Sequence, residues 1–81
     1  MKLLRRPIYV RTDRRGNPLS IGLNGRFQRI VWRGRSFRIR GGWWEREVFR
    51  EYFQVETEGG ILCEIYHDLI GGRWYLERIY D

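Results

Sequence analysis

The chain has 81 residues, of which 42% are apolar and 16% aromatic, and its formal net charge is +6. This length predicts a single small domain over residues 1–81, because chains of this size bury only about two-thirds of their unfolded surface. No apolar run approaches the ~20 residues of a membrane span, and the N-terminal apolar stretch is too short for a secretory signal. The one cysteine, Cys63, excludes an internal disulfide and fits a reducing compartment. We therefore expect a soluble, cytoplasmic protein without membrane association.

Charge is segregated along the chain. Residues 1–40 carry twelve Lys or Arg and one acid, whereas residues 41–81 carry four and nine, so the two halves have charges of +11 and −5. Fifteen of the sixteen cations are arginine. Because a guanidinium group binds phosphate or carboxylate with two parallel hydrogen bonds, the first half indicates an anionic partner.

The first half of the chain predicts short strands separated by turn residues. The first strand, Arg6 to Thr12, alternates apolar and polar side chains, and Pro18 opens a second strand that ends at Leu23. Asn24-Gly25 is a strong hairpin signal, because both central residues of a type I′ turn need positive φ. We expect a third strand, residues 26–33, to pair back on the second.

The second half continues the same pattern. A strand from Arg35 to Arg40 places Phe37 and Ile39 on one face, and its outward face then carries Ser36, Arg38 and Arg40. After the break at residues 41–44, three strands at roughly 48–57, 61–67 and 73–80 predict a meander. About seven short antiparallel strands favour an all-β fold, a small closed or partly open barrel, since closure removes exposed sheet edges.

Strand periodicity assigns the faces of the meander. The predicted core residues are Phe49, Phe53, Val55, Ile61, Cys63, Ile65, Trp74, Leu76 and Tyr80. The same parity turns Glu51 and Arg78 inward, which predicts a mutual ion pair or a position at the rim of the barrel. Tyr52, Tyr66 and Tyr75 fall on the opposite face and predict a ladder across neighbouring strands.

One group of residues has the composition of a nucleic-acid interface. Arginines neutralise phosphates, and exposed aromatic rings stack on unpaired bases. The candidate binding residues are Arg11, Arg14, Arg15, Arg26, Arg29, Arg33, Arg35, Arg38, Arg40, Trp32, Trp43 and Trp44. The alternative is a solvated surface that the glutamates of the second half partly neutralise. Adjacent strand residues face opposite sides, so we expect one residue of the Trp43-Trp44 pair to pack in the core.

The sequence predicts no catalytic or metal site. Cys63 and His67 lie on one strand face but roughly 13 Å apart, too far for His67 to activate the thiol. One Cys and one His do not supply a tetrahedral metal site. The glycines precede no helix, so they form no phosphate loop. We expect no cofactor.

Several segments together resemble a known bacterial domain. They are Pro7-Ile8-Tyr9-Val10, Gly16-Asn17-Pro18-Leu19, Trp32-Arg33-Gly34-Arg35, Gly42-Trp43-Trp44, Arg50-Glu51-Tyr52-Phe53-Gln54-Val55 and Tyr80-Asp81. The pattern is similar to that of a small uncharacterised domain that occurs alone and at the C-terminus of ImuB-type proteins, inactive relatives of Y-family DNA polymerases. The resemblance implies a binding or adaptor role near DNA repair, and it transfers no enzymatic residues. This chain has no polymerase-like region.

Two hypotheses follow from the sequence. The first is a non-enzymatic module that binds single-stranded or distorted nucleic acid through its arginines and exposed tryptophans. The second is an adaptor whose basic face docks an acidic surface of a repair or replication protein. The sequence predicts neither a base preference nor an oligomeric state.

Overall fold

A computed structural model describes residues 2–43 and 46–80, which form antiparallel strands joined by turns. The strands are β1 (Lys2–Ile8), β2 (Val10–Thr12), β3 (Pro18–Leu23), β4 (Arg26–Arg33), β5 (Phe37–Trp43), β6 (Arg46–Thr57), β7 (Leu62–Asp68) and β8 (Trp74–Tyr80). The all-β class is thereby confirmed. Within the described ranges there is no helix long and apolar enough to cross a membrane.

The strands form a small, partly open barrel, as predicted. Their order is β1-β8-β7-β6-β4-β3-β2. Strands β1 and β2 are separated only by Tyr9, whose carbonyl accepts a 2.8 Å hydrogen bond from Gly22 N–H. The chain therefore bends at Tyr9, and β1 and β2 are the first and last strands of this order. The predicted strand over residues 6–12 is divided at this bend and starts earlier, at Lys2.

Strand β6 is long enough to pair with two strands along one edge. Its C-terminal half pairs with β4, and its N-terminal half pairs with β5. On the other edge, β7 ends where Asp68 lies opposite Arg50, and Leu69 N–H donates to Phe49 O at 2.9 Å. We call residues 37–43 and 46–49 the arm. Its outer part, residues 40–43 and 46–49, lies beyond the end of β7 as a two-stranded ribbon.

The core fills the barrel where β3, β6, β7 and β8 face one another. Its buried members are Ile21, Leu23, Phe53, Val55, Cys63, Ile65 and Leu76. The five that come from the meander confirm the predicted alternation. Burying an aliphatic or aromatic side chain stabilises a fold by about 1.5–3 kcal/mol, so this cluster is the main source of stability. Phe49 was predicted in the core, but it lies on the arm and is half-buried.

A bulge in β8 changes which of its side chains face the core, so part of the predicted alternation is wrong. The register shifts between the Glu64–Arg78 and Ile65–Leu76 pairs, so Glu77 is an extra residue. Ile79 consequently packs against the core, while Arg78 lies on the outer face and pairs with Glu64 at 3.4 Å. The predictions that Arg78 faces inward and that Tyr80 belongs to the core were wrong, because strict alternation cannot anticipate a bulge.

The tyrosine ladder on the outer face is confirmed. Ring centroids are 5.1 Å apart for Tyr52 and Tyr66 and 5.0 Å apart for Tyr66 and Tyr75. Phe37 extends the ladder onto β5, because its ring stacks on Tyr52 at 5.2 Å with an interplanar angle of 6°. Four neighbouring strands are thus joined by one row of rings, at distances typical of favourable aromatic pairs.

Candidate nucleic-acid interface

Strand directions give the barrel two distinct ends. The loop between β2 and β3, the link between β4 and β5, the arm and the β7–β8 turn lie at one end, which we call the arm end. The β3–β4 turn and the β6–β7 turn lie at the other, which we call the far end. Most candidate residues can be assigned to one of these ends.

The β2–β3 loop presents two arginines at the arm end. Asp13 Oδ1 accepts hydrogen bonds from Asn17 N–H at 2.9 Å and from Arg15 N–H at 2.8 Å. The backbone hydrogen bond from Asn17 is the main cause of a lowered pKa of Asp13, and the charge of Arg33 lowers it further. Because Asp13 is occupied in shaping the loop, Arg14 and Arg15 remain exposed to solvent.

The loop faces the link between β4 and β5. A cavity of about 230 Å³ is lined by Asn17 of the loop, by Arg33, Gly34 and Ser36 of the link region, and by Phe53 of the core. Arg35, in the same link, is exposed. Arginines that are distant in the sequence, in residues 14–15 and 33–35, are therefore close together at the barrel opening.

The arm carries two more candidate arginines, Arg38 and Arg40, on one face. The Arg40 guanidinium lies 4.4 Å from the centre of the Phe49 ring, a cation–π contact. Arg38 Nε donates to Glu51 Oε2 at 3.3 Å, and the Glu51 side chain is 22% exposed. The expected rim position of Glu51 is confirmed, although Arg38, and not Arg78, is its partner.

The orientation of the arm differs from the sequence prediction. The alternation itself is confirmed, but Arg38 and Arg40 share the face of Glu51 and Phe49, which continues the inner surface of the barrel. Phe37 and Ile39 lie on the outer face, where they are 48% and 45% exposed. The expectation that the arginines point outward was wrong, because the arm extends beyond the core and both of its faces reach solvent.

Three other candidates lie away from the arm end. Arg11 stacks over Phe27 at 3.9 Å, and both Arg11 and Arg29 lie opposite Ser20 on the outer surface of β2–β4. Arg26 lies next to the β3–β4 turn at the far end. The predicted set is thus divided between at least two surfaces. It does not form one continuous face.

Of the three predicted tryptophans, Trp32 has a described side chain. Trp32 is 47% exposed on the outer face opposite Glu56. Its indole packs across Gly34, where an added Cβ would come within 2.8 Å of the ring. Trp43 ends β5, but its side chain and all of Trp44 lie outside the described residues. The prediction that one of this pair packs in the core therefore stays a prediction.

Acidic residues lie toward both ends of the barrel, and those described at the arm end are Asp13, Glu47, Glu51 and Asp68. Glu77 is buried, and it binds Arg5 at 3.2 Å and Arg78 at 3.6 Å. At the far end, Glu58 Oε1 accepts the backbone N–H of Arg29 at 3.2 Å. Glu56 and Glu64 also lie toward this end, so the carboxylates there balance neighbouring arginines. At the arm end the arginines outnumber the four described acids, and the larger excess of positive charge lies there.

The sequence prediction missed a second group of residues near the arm end. Arg50 lies 4.6 Å from the centre of the Tyr66 ring, and it donates to Tyr52 Oη at 3.2 Å. Arg73 and Trp74 line a separate cavity of about 650 Å³ with the bend at Tyr9. The negative charge of the second half hid these arginines in the sequence, although the alternation of Tyr9 with Ile8 already indicated an exposed ring.

Cys63 and His67 are placed apart in the fold. Cys63 is buried in the core, and this burial raises the pKa of its thiol to about 11. His67 stacks in parallel on Trp74, with ring centres 4.5 Å apart. Cys63 is therefore a neutral packing residue at neutral pH. In the described part of the chain, no group of three His, Cys, Asp or Glu residues is arranged to hold a metal ion.

Comparisons with family models, curated proteins and solved structures find no match to this chain.

Proposed function

We propose that the protein is a non-enzymatic module that binds single-stranded or distorted nucleic acid at the arm end of its barrel. One observation carries the proposal. Arginines from three separate segments lie exposed at this end, namely Arg14, Arg15, Arg33, Arg35, Arg38 and Arg40. The sequence resemblance to a domain of ImuB-type proteins favours a role in DNA repair or replication in the cytoplasm.

The chemistry of this end suits a polyanion. Of its carboxylates, Asp13 and Asp68 are held by loop backbone and Glu51 is paired with Arg38, whereas Glu47 on the arm is exposed. Neutralising several phosphates releases condensed counterions and gives affinity without base recognition. The exposed ring of Trp32, next to Arg33, offers a stacking surface to unpaired bases.

The arm extends the basic surface away from the barrel. A two-stranded ribbon is an element that can enter a groove of a duplex or lie along a displaced strand. Two of the six arginines lie on one face of this ribbon, opposite residues of β6 that include Phe49. The ribbon therefore extends the basic surface beyond the barrel.

Fluorescence anisotropy with a labelled single-stranded oligonucleotide tests the proposal. We expect binding that weakens steeply with salt, with a slope in log K against log[salt] of roughly −0.7 per phosphate contact. A duplex of the same length and a duplex with an unpaired bulge distinguish single-stranded from distorted targets. Absence of binding at low salt, or an affinity that does not respond to salt, would refute the proposal.

A second candidate function is supported by the apolar side of the arm. Phe37 and Ile39 are about half exposed on its outer face, which favours an adaptor that docks on a repair or replication protein. The variant Ile39→Asn, which removes the apolar side chain without changing the charge, separates the two functions. If the adaptor function holds, this variant loses a nuclease-resistant protein complex, while oligonucleotide binding by the arginine face is unchanged.

A further inference from the structure

A cavity of about 650 Å³ lies beside the β7–β8 turn at the arm end. It lies where β1 bends into β2 and is lined by residues 7–10 and by residues 72–74 of the β7–β8 turn. Sites for small organic groups typically measure about 300–1,000 Å³. The cavity is therefore large enough for a nucleobase with its sugar.

Two aromatic residues contribute to the wall of the cavity. Tyr9 is 81% exposed, even though its backbone is held in place by the hydrogen bond from Gly22. Trp74 is immobilised by parallel stacking on His67 and by a ring contact with Phe53 at 5.6 Å. Because Trp74 packs against the core and its ring contacts His67 and Phe53, the accessible ring that a flat ligand would meet is that of Tyr9. Pro7, Ile8 and Val10 complete the apolar lining.

The cavity favours an anionic ligand. Arg73 lines it and is exposed, and none of the other lining residues is charged. The nearest acid in the turn is Asp68, whose Oδ1 accepts backbone hydrogen bonds from Ile70 at 3.0 Å and from Gly71 at 3.1 Å. This carboxylate stabilises the turn, so Arg73 remains available to a phosphate.

The cavity lies within reach of the arm. Arg38, Glu51, His67 and Trp74 follow one another across β5, β6, β7 and β8. Three strand spacings of about 4.8 Å separate the first from the last, or roughly 14 Å. An extended single strand that contacts the arm can therefore continue across the barrel opening to the cavity.

Resting on the proposed function, we infer that this cavity binds one unpaired nucleobase. The base stacks on the exposed ring of Tyr9 at the edge of the cavity, and Arg73 binds a neighbouring phosphate. A base inside a duplex cannot enter, because its faces are covered by the adjacent base pairs. The cavity would therefore select unpaired bases, whereas the arm arginines bind phosphates regardless of base pairing.

Two probes and two variants test this inference. The probes are an oligothymidylate and an abasic oligonucleotide of the same length, which carries the same phosphates without bases. The variants are Tyr9→Ala, which removes the ring, and Tyr9→Phe, which keeps it. Because Tyr9 is exposed, neither change disturbs the core, and a urea unfolding curve checks this.

We expect the wild-type protein to bind the oligothymidylate roughly five- to a hundredfold more tightly than the abasic probe, the range for stacking of one base. Tyr9→Ala should remove most of this difference, while its affinity for the abasic probe stays unchanged. Tyr9→Phe should behave as the wild type. Arg73→Ala should weaken binding of both probes and lower the salt slope by about 0.7.

Failure of this inference differs from failure of the proposed function. If Tyr9→Ala binds the oligothymidylate as tightly as the wild type, the cavity holds no base, while the salt-dependent affinity of the arginines stands. Equal affinity of the wild type for both probes would also overturn the inference. If neither probe binds at low salt, the proposed function and the inference are both wrong.

Discussion

The barrel and the arm are built from the same strand, β6, yet they differ in how their side chains are used. In the barrel, Phe53 and Val55 of β6 are buried against β7 and β8. On the arm, Phe49 is half-buried and is covered from β5 by Arg40. Isolated two-stranded ribbons are marginally stable in water, so the arm depends on the barrel for its structure. None of the arm side chains that the structure describes belongs to the buried core of the barrel.

This difference separates stability from the proposed function. Changes inside the barrel should alter the free energy of unfolding, and changes on the arm should alter binding with little effect on folding. The charges do not follow this division. Ion pairs occur in both parts, between Glu77 and Arg5 in the barrel and between Glu51 and Arg38 at the arm. Cation–π contacts also occur in both, from Arg50 to Tyr66 and from Arg40 to Phe49.

A core truncation provides the largest test of this comparison. Leu76→Ala removes a fully buried side chain, and we expect the free energy of unfolding to fall by about 2–5 kcal/mol. The matched control is Ile39→Ala on the arm, for which we expect a loss below about 1 kcal/mol, as at other exposed positions. Urea denaturation measures both. Equal losses would mean that the arm is part of the cooperative core.

The buried thiol gives a pH-dependent test of the barrel. Burial raises the pKa of Cys63 from 9.0 to about 11. Its contribution to stability is therefore fully present below pH 9 and is lost as the pH rises toward 11, because the unfolded chain releases the proton first. Relative to Cys63→Val, the wild type should lose about 2 kcal/mol over this range. If the wild type and Cys63→Val lose the same stability over this pH range, the loss does not come from the Cys63 thiol.

A polar contact inside the barrel should have a smaller effect. The buried Thr57 Oγ1 donates to Gln28 Oε1 at 2.7 Å and accepts the N–H of Ile61 at 3.2 Å. Thr57→Val leaves both partners without this bond, and we expect a loss of about 1–2 kcal/mol. Thr12→Val, at an exposed position in β2, is the matched control and should change stability by less than about 0.5 kcal/mol. If both variants unfold at the same urea concentration, this contact contributes nothing measurable.

Much of the fold could be predicted from the alternation of side chains. The pattern identified the inward rows of β6 and β7 and the ladder of Tyr52, Tyr66 and Tyr75, because a pleated strand fixes which residues share a face. It failed at Arg78, where a bulge inserts one residue. It also failed at Tyr9, where one predicted strand bends and pairs with two different neighbours.

The candidate site was harder to predict than the fold. The concentration of arginine in residues 1–40 was evident, but its distribution in space depends on the strand order and on the break at Gly34. That break turns the chain from β4 into β5 along the same edge of β6. It brings Arg38 to the arm end, whereas Arg26 stays at the far end. Arg73 was overlooked because it belongs to the acidic half of the sequence.

The most direct test compares two double variants that remove the same charge. Arg38→Ala with Arg40→Ala changes the arm, and Arg26→Ala with Arg29→Ala changes β4 near the far end. Salt titrations of single-stranded oligonucleotide binding should show at least a tenfold loss of affinity for the arm variant and a slope reduced by about 1.4, or two phosphate contacts. The β4 variant should stay within about twofold of the wild type. Equal losses for both variants would show that only total charge matters and would contradict a binding surface at the arm end.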